Sequence, residues 1–172
     1  MTDEVDYDAP DHCTVGVLGE VGQRLFLVYV RQGLSETTVK VEKQQVSVLA
    51  SYLGRIVKEL GRPGHLPEDL TFYGREDPEW VVGTIGVSYD EEIDRVVVVF
   101  EEVGEEDGDD ADAEESGHVL RIALSREQAA AFAIHATRLV EAGRPPCPLC
   151  GLPLDPSGHD CPRTNGHRPP VT

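Results

Sequence analysis

The sequence predicts an α+β fold built from a duplicated β-β-β-α unit, and three observations lead to this prediction. Two series of strand-like segments are each followed by an amphipathic helical pattern, matching segments recur in the same order, and both helical patterns end in Gly-Arg-Pro. We therefore expect one antiparallel sheet of about six strands with two helices on one face. A small C-terminal zinc knuckle is expected to follow.

The first unit is expected over residues 13–61. Three strand-like segments precede its helix: a glycine-interrupted run at 13–19, a nearly continuous apolar run at 24–31, and an alternating run at 37–42. A continuous apolar run predicts a central strand covered on both faces, and alternation predicts a half-buried strand. From about Lys43 to Leu60 apolar residues recur at spacings of three and four, which predicts a helix that ends at Gly61.

The second unit is expected over residues 79–143, after a proline-containing linker at 62–78. Its strand-like segments match those of the first unit in order, and its helix follows the first helix at an offset of 83 residues. This offset pairs Ser125 and Gln128 with Glu42 and Gln45. Both pairs have the spacing of a capping box, in which two side chains and two backbone N–H groups at a helix start satisfy one another.

The acidic residues are concentrated in two segments. The formal net charge is −17, but residues 1–12 and 101–115 hold five and ten acidic groups and no Lys or Arg. The rest of the chain is therefore close to neutral. We expect a disordered acidic tail at 1–12 and a disordered acidic loop at 104–116, because charge runs of this kind are usually solvated. Nucleic acid and anionic membranes are not expected as partners, since binding to phosphate groups depends on Lys and Arg.

We expect a cytoplasmic location, because the sequence shows neither a membrane-spanning segment nor a signal peptide. No apolar run is long enough to span a membrane, and the N-terminus is acidic where a signal peptide would be basic and then apolar. Cysteine side chains in the cytoplasm stay reduced.

The strongest chemical motif lies in the segment 144–172, expected to form the zinc knuckle. Cys147 and Cys150 are separated by two residues in a Cys-Pro-Leu-Cys-Gly sequence, and His159 and Cys161 follow a Pro-Ser-Gly turn. Zinc in structural sites takes four Cys or His ligands with this type of spacing, whereas a catalytic zinc keeps one position open. We therefore predict a structural Zn²⁺ bound by these four residues, with His167 as the alternative to His159.

Other motifs are better explained by structure than by catalysis. Neither Gly16-x-x-Gly19 nor Gly83-x-x-Gly86 precedes a helix, so these glycines indicate strand bulges or close backbone approach rather than a phosphate loop. Cys13 is expected to be a small buried side chain. No catalytic residues and no organic cofactor are predicted.

The sequence resembles an uncharacterised, mainly actinobacterial family known only as a repeat protein or domain of unknown function. The resemblance is carried by APDHCTVGVLGEVGQRLFL, VEKQQVSVLA, VGTIGVSYDEEIDRVVV and the cysteine-containing C-terminus. The family implies no activity, and its usual form has a shorter connection where this chain carries residues 104–116.

Two functional hypotheses follow from the sequence. The first is a non-enzymatic zinc-binding adaptor or protein-interaction module with an unidentified protein partner. The alternative is an enzyme or small-ligand binder that uses a pocket between the two repeats, where convergent polar groups would be found.

Overall fold

The computed structural model describes residues 2–20, 22–104, 117–142 and 147–150, and within them it contains seven strands and two helices, so the α+β class is confirmed. In chain order these are β1 (Asp3–Tyr7), β2 (His12–Leu18), β3 (Leu25–Gln32), β4 (Ser35–Val41), α1 (Lys43–Leu60), β5 (Val82–Asp90), β6 (Arg95–Glu102), β7 (His118–Leu124) and α2 (Arg126–Glu141).

The strands form two sheets, so the prediction of a single antiparallel sheet was wrong. One sheet has the order β1-β7-β6-β5 and the other the order β2-β3-β4. Strand β4 is bridged to the chain just before β5, with Lys40 opposite Val81 in a parallel bridge. Just after this bridge, the Gln45 amide of α1 donates to the carbonyls of Val82 and Gly83 at the beginning of β5.

Strand β1 lies where a disordered acidic tail was expected. Asp3–Tyr7 pairs in parallel with β7, in register from Asp3 opposite His118 to Tyr7 opposite Ile122. Asp3, Glu4 and Asp6 are exposed, and the Tyr7 side chain is buried. An edge strand can carry acidic side chains because one of its edges remains in water, so a charge run alone does not predict disorder.

Each helix begins and ends within one residue of its predicted position. The Gln128 N–H donates to Ser125 Oγ at 3.1 Å, and the Ser125 N–H donates to Gln128 Oε1 at 3.0 Å. At the first helix the Glu42 N–H donates to Gln45 Oε1 at 2.8 Å. Helix α1 ends at Gly61, whose φ of 94° lies in the left-handed region that favours glycine.

The linker at 62–78 covers the outer face of the three-stranded sheet. His12 Nε2 lies 2.7 Å from the Thr71 carbonyl, and Thr14 Oγ1 donates to the Leu70 carbonyl at 2.8 Å. A Cβ atom added at Gly16 would lie only 2.5 Å from Cγ of Phe72. Strand β3 is therefore covered on both faces, as its continuous apolar sequence predicts.

The helices join the two sheets around one cluster of buried side chains. Helix α1 contacts α2 and β5, whereas α2 contacts β2, β6 and β7, so each helix packs against the first strand of the other predicted unit. Val15, Leu53, Phe100 and Phe132 all belong to this shared cluster. Neither of these helices is long and apolar enough to cross a membrane.

The predicted unit boundaries at residues 13–61 and 79–143 stay a prediction. Within them the order of elements is β2-β3-β4-α1 and then β5-β6-β7-α2. Residues 143–146, which carry the second Gly-Arg-Pro, and residues 105–116 of the acidic loop lie outside the described residues.

Candidate functional site

An open groove of about 680 Å³ lies between α1 and β5. We call it the α1–β5 groove. Its residues are mostly apolar or uncharged polar, with Glu42 as the one carboxylate: Glu42, Gln44, Gln45, Val48, Leu49, Tyr52, Gly83, Thr84, Ile85 and Val87.

Helix α1 and β5 lie side by side and run in the same direction. At their beginnings, Gln45 Nε2 donates to the Val82 carbonyl at 3.3 Å and to the Gly83 carbonyl at 3.1 Å. At their ends, Arg126 donates to the carbonyl of Leu60 at 2.8 Å and to Oδ1 of Asp94, in the turn after β5, at 2.9 Å. Eighteen helical residues span about 27 Å and nine strand residues about 30 Å, so the two elements match in length.

The side of α1 that faces the groove is apolar but only partly covered. Leu49 is buried, whereas Val48 is 50% exposed and Tyr52 is 49% exposed. The guanidinium of Arg55 lies 5.3 Å from the centre of the Tyr52 ring, within the range of a cation–π contact. Together with the groove beside them, these two half-exposed side chains offer an apolar surface for contact.

Strand β5 forms the edge of the four-stranded sheet and carries no charged side chain before Asp90. Proteins normally protect an exposed edge with charged side chains, proline or a bulge, because free N–H and C=O groups can pair with another chain. The register shift at Gly83 provides a bulge at the beginning of β5. From Thr84 onward, the described residues show pairing of β5 with β6 on one side only.

The residues of α2 that the predicted repeat pairs with Val48 and Tyr52 are covered. The offset of 83 residues pairs Val48 with Ala131 and Tyr52 with His135. Ala131 is only 3% exposed, and His135 Nε2 lies 3.1 Å from the carbonyl of Val15 in β2. Ala131 and His135 are thus covered by or bonded to β2 or their neighbours, whereas Val48 and Tyr52 are half exposed in the α1–β5 groove.

A second, smaller cavity of about 140 Å³ lies beside His118. The His118 ring stacks on Trp80, with 6.1 Å between ring centres, and its nitrogens lie 3.8 Å from Asp3 Oδ2 and 4.0 Å from Glu102 Oε2. Within residues 2–20, 22–104, 117–142 and 147–150, no three His, Cys, Asp or Glu side chains are arranged to hold a metal ion.

The predicted zinc ligands fall partly outside the described residues. Cys147 is buried and Cys150 is half-buried, in a short turn. His159, Cys161 and the alternative ligand His167 lie outside the part of the chain that the structure describes, so the four-ligand site stays a prediction.

Cys13 lies apart from this segment, in β2 within the shared core. Burial raises the pKa of its thiol to about 12. A protonated thiol is neither a nucleophile nor a metal ligand, which agrees with the structural role expected for it.

The α1–β5 groove was not singled out from the sequence, although a pocket between the repeats was considered. Two signals in the sequence point to it: the absence of charge from Val82 to Tyr89, and the apolar residues Val48 and Tyr52 beside the main apolar stripe of α1. Neither signal predicts that the corresponding contact between α2 and β2 is closed.

Comparison with known proteins gives a family but no function. The family model described as "Protein of unknown function (DUF3090)" matches residues 5–161. No curated protein and no solved structure shows significant similarity to the chain.

Proposed function

Because the chain belongs to the DUF3090 family of proteins of unknown function, we propose a role from its own residues. It is a non-enzymatic protein-interaction module that binds a polypeptide in the α1–β5 groove. A structural zinc ion in its C-terminal segment is the second part of the proposal.

The observation that carries this proposal is the uncharged edge of β5 beside an open, partly apolar groove. A bound polypeptide in extended form can pair its backbone with an exposed sheet edge, while alternate side chains enter pockets beside it. Here the backbone of Thr84–Tyr89 offers the edge, and Val48 and Tyr52 offer apolar contacts. The chemistry that fits is an extended segment with apolar residues at alternate positions and no charge at its centre.

A peptide-display library screened against the full chain tests the groove. Selected peptides should show alternating apolar residues, and their binding should be lost in Thr84→Lys, which places a charge on the pairing edge. Tyr52→Glu, which places one in the groove, should have the same effect. Each loss should exceed about tenfold in Kd.

Matched controls exist for both variants. Ser35→Lys places the same charge at an exposed position of edge strand β4, and Ile134→Glu replaces an apolar residue that is 45% exposed on α2. Peptides that bind both test variants as tightly as the controls would contradict the groove as the binding surface.

The zinc part of the proposal is supported by the Cys147-x-x-Cys150 spacing and by the returning His159 and Cys161. Four protein ligands would fix the C-terminal segment to itself, because a tetrahedral site replaces the apolar core that so short a segment lacks. A reducing, cytoplasmic location belongs to this proposal, since zinc binds thiolates and not disulfides.

Elemental analysis of the purified full chain tests the zinc site. We expect about one zinc per chain, reduced strongly by Cys147→Ser and unchanged by Cys13→Ala, since Cys13 is buried elsewhere. His159→Ala and His167→Ala compared side by side identify the fourth ligand. A metal content that is the same in Cys147→Ser and in the unmodified chain would contradict the site.

A small-molecule ligand is the second candidate for the same groove, because about 680 Å³ lies within the usual range for ligand pockets. A thermal-shift screen with small metabolites distinguishes the two candidates. A ligand whose shift is abolished by Tyr52→Glu, together with no selected peptide, would favour a ligand binder or enzyme over an interaction module.

A further inference from the structure

We infer that the cavity beside His118 is a binding site for a small organic ammonium ion that carries a neutral hydrogen-bond acceptor, such as an amino alcohol. The cavity has a volume of about 140 Å³ and is lined by residues of β1, β7, β4 and the chain just before β5. It shares no lining residue with the α1–β5 groove, so the inference is independent of the proposed function.

The first observation is a buried hydrogen-bond donor, the indole N–H of Trp80. This residue lines the cavity and is only 8% exposed. In the part of the chain that the structure describes, no group accepts a hydrogen bond from the indole N–H. An indole nitrogen can only donate, and a buried donor without an acceptor is costly. The cavity therefore suits a ligand that brings an acceptor atom to Trp80.

Trp80 is also held in place by its neighbours. The Lys40 N–H donates to the Trp80 carbonyl at 3.0 Å, and the N–H of the preceding Glu79 donates to the Thr38 carbonyl at 2.9 Å. The His118 ring stacks on the indole, with 6.1 Å between ring centres and 15° between ring planes. Because these contacts restrict the ring before any ligand arrives, little reorganisation is needed on binding.

The second observation is the negative charge at the exposed side of the cavity. Asp3 and Glu79 line the cavity and are exposed, and Oε2 of Glu102 lies 4.0 Å from Nε2 of His118. The described lining residues include no Lys or Arg. No three His, Cys, Asp or Glu side chains of the described residues are arranged to hold a metal ion. An ammonium ion is therefore the cation that fits.

The burial of the lining residues gives the ligand a direction. Trp80 and Thr37 are buried, whereas Asp3 and Glu79 are exposed. The ammonium group would lie beside the two carboxylates and remain in contact with water, because a fully buried charge is costly. The acceptor end would reach towards Trp80. About 140 Å³ has room for a ligand of roughly five or six non-hydrogen atoms.

Two-dimensional NMR of the isotope-labelled full chain tests the inference. Trp80 is the single tryptophan, so its indole N–H gives one cross-peak that reports directly on the cavity. Titration with 3-aminopropanol should shift this cross-peak saturably, with a Kd of about 1 mM. Butylamine has the same length but lacks the acceptor, and butanol lacks the charge. Each should bind at least about fivefold more weakly.

Variants of the two carboxylates test the position of the ammonium group. Asp3→Asn and Glu79→Gln should each raise the Kd for 3-aminopropanol by about threefold, because each removes one charge beside the cavity. Asp77→Asn and Glu4→Gln remove the same charge at exposed positions that do not line the cavity, and they should leave the Kd unchanged. Circular dichroism of each variant checks that its fold is intact.

An indole cross-peak that does not move at about 100 mM 3-aminopropanol would overturn the inference and leave water as the partner of Trp80. Equal affinity for butanol would contradict a cationic ligand, and equal affinity for butylamine would contradict an acceptor bound by Trp80. Control variants that weaken binding as much as Asp3→Asn and Glu79→Gln would contradict the position of the ammonium group.

Discussion

At Gly16 the lack of a side chain lets the Phe72 ring lie directly against β2. A Cβ atom there would be 2.5 Å from Cγ and 2.9 Å from Cβ of Phe72. These two Phe72 atoms are close to the linker backbone, so they cannot move far. The glycine therefore fixes how closely the linker covers the three-stranded sheet. Gly86 has no heavy atom within 4 Å of the corresponding position and carries no such constraint.

Gly16→Ala should destabilise the protein by about 1–3 kcal/mol, because the added methyl forces Phe72 and the linker backbone to shift. Urea denaturation measures the change. Gly86→Ala is the matched control and should be neutral or slightly stabilising, by up to about 1 kcal/mol, through the restricted unfolded chain. Equal effects of the two substitutions would show that the contact with Phe72 is not what requires glycine.

His135 gives the folded protein a pH-dependent contribution to stability. Burial lowers the pKa of its ring below the ordinary value of 6.5, more than the bond to the Val15 carbonyl raises it. The unfolded chain therefore binds more protons than the folded chain between the two pKa values. Stability from the neutral ring is present above pH 6.5 and is lost as the pH falls through the folded pKa.

His135→Gln keeps a donor for the Val15 carbonyl but removes the titration. Urea midpoints of both proteins from about pH 7.5 to about pH 5 measure the effect. We expect the unmodified protein to lose stability relative to His135→Gln as the pH falls. Parallel curves would mean that protonation of His135 does not oppose folding.

Strand β1 buries few side chains of its own, since four of its five residues are exposed. The buried Tyr7 hydroxyl lies 2.9 Å from Thr37 Oγ1 in β4, so this hydrogen bond joins the end of β1 to the other sheet. On the exposed part, Asp6 pairs with Arg121 of β7 at 3.5 Å. An ion pair at the solvated surface contributes little free energy. The buried hydrogen bond therefore stabilises the docking of β1 more than the ion pair does.

Tyr7→Phe should lower the free energy of unfolding by about 1–2 kcal/mol, because it leaves the buried Thr37 hydroxyl without this partner. Tyr73→Phe is the control: its hydroxyl donates to Asp69 Oδ2 at 3.0 Å, but the residue is 53% exposed. The control should change stability by less than about 0.5 kcal/mol. Denaturant titrations measure the free energy of unfolding of both variants. Equal decreases in the two variants would contradict a special role for Tyr7.

In the whole molecule, local patterns predicted the elements better than their assembly. Apolar periodicity and the capping pairs at Glu42 and Ser125 act within a few residues, so the helices and the order of strands are readable from the sequence. The division into two sheets depends on contacts between distant residues, such as Gln45 with Gly83, and no periodic pattern encodes it. The candidate groove was missed because it arises from two half-covered side chains, Val48 and Tyr52, whose exposure depends on how far α1 lies from β5.

Hydrogen–deuterium exchange of the full chain, with and without a saturating library-selected peptide, tests the central claim that β5 accepts another polypeptide. The peptide is added in excess over the chain. We predict slower exchange of the amides in Thr84–Tyr89 when the peptide is bound, because backbone pairing protects them, and unchanged exchange in Ser35–Val41. Exchange in β5 that does not change on binding, with protection elsewhere, would contradict the claim.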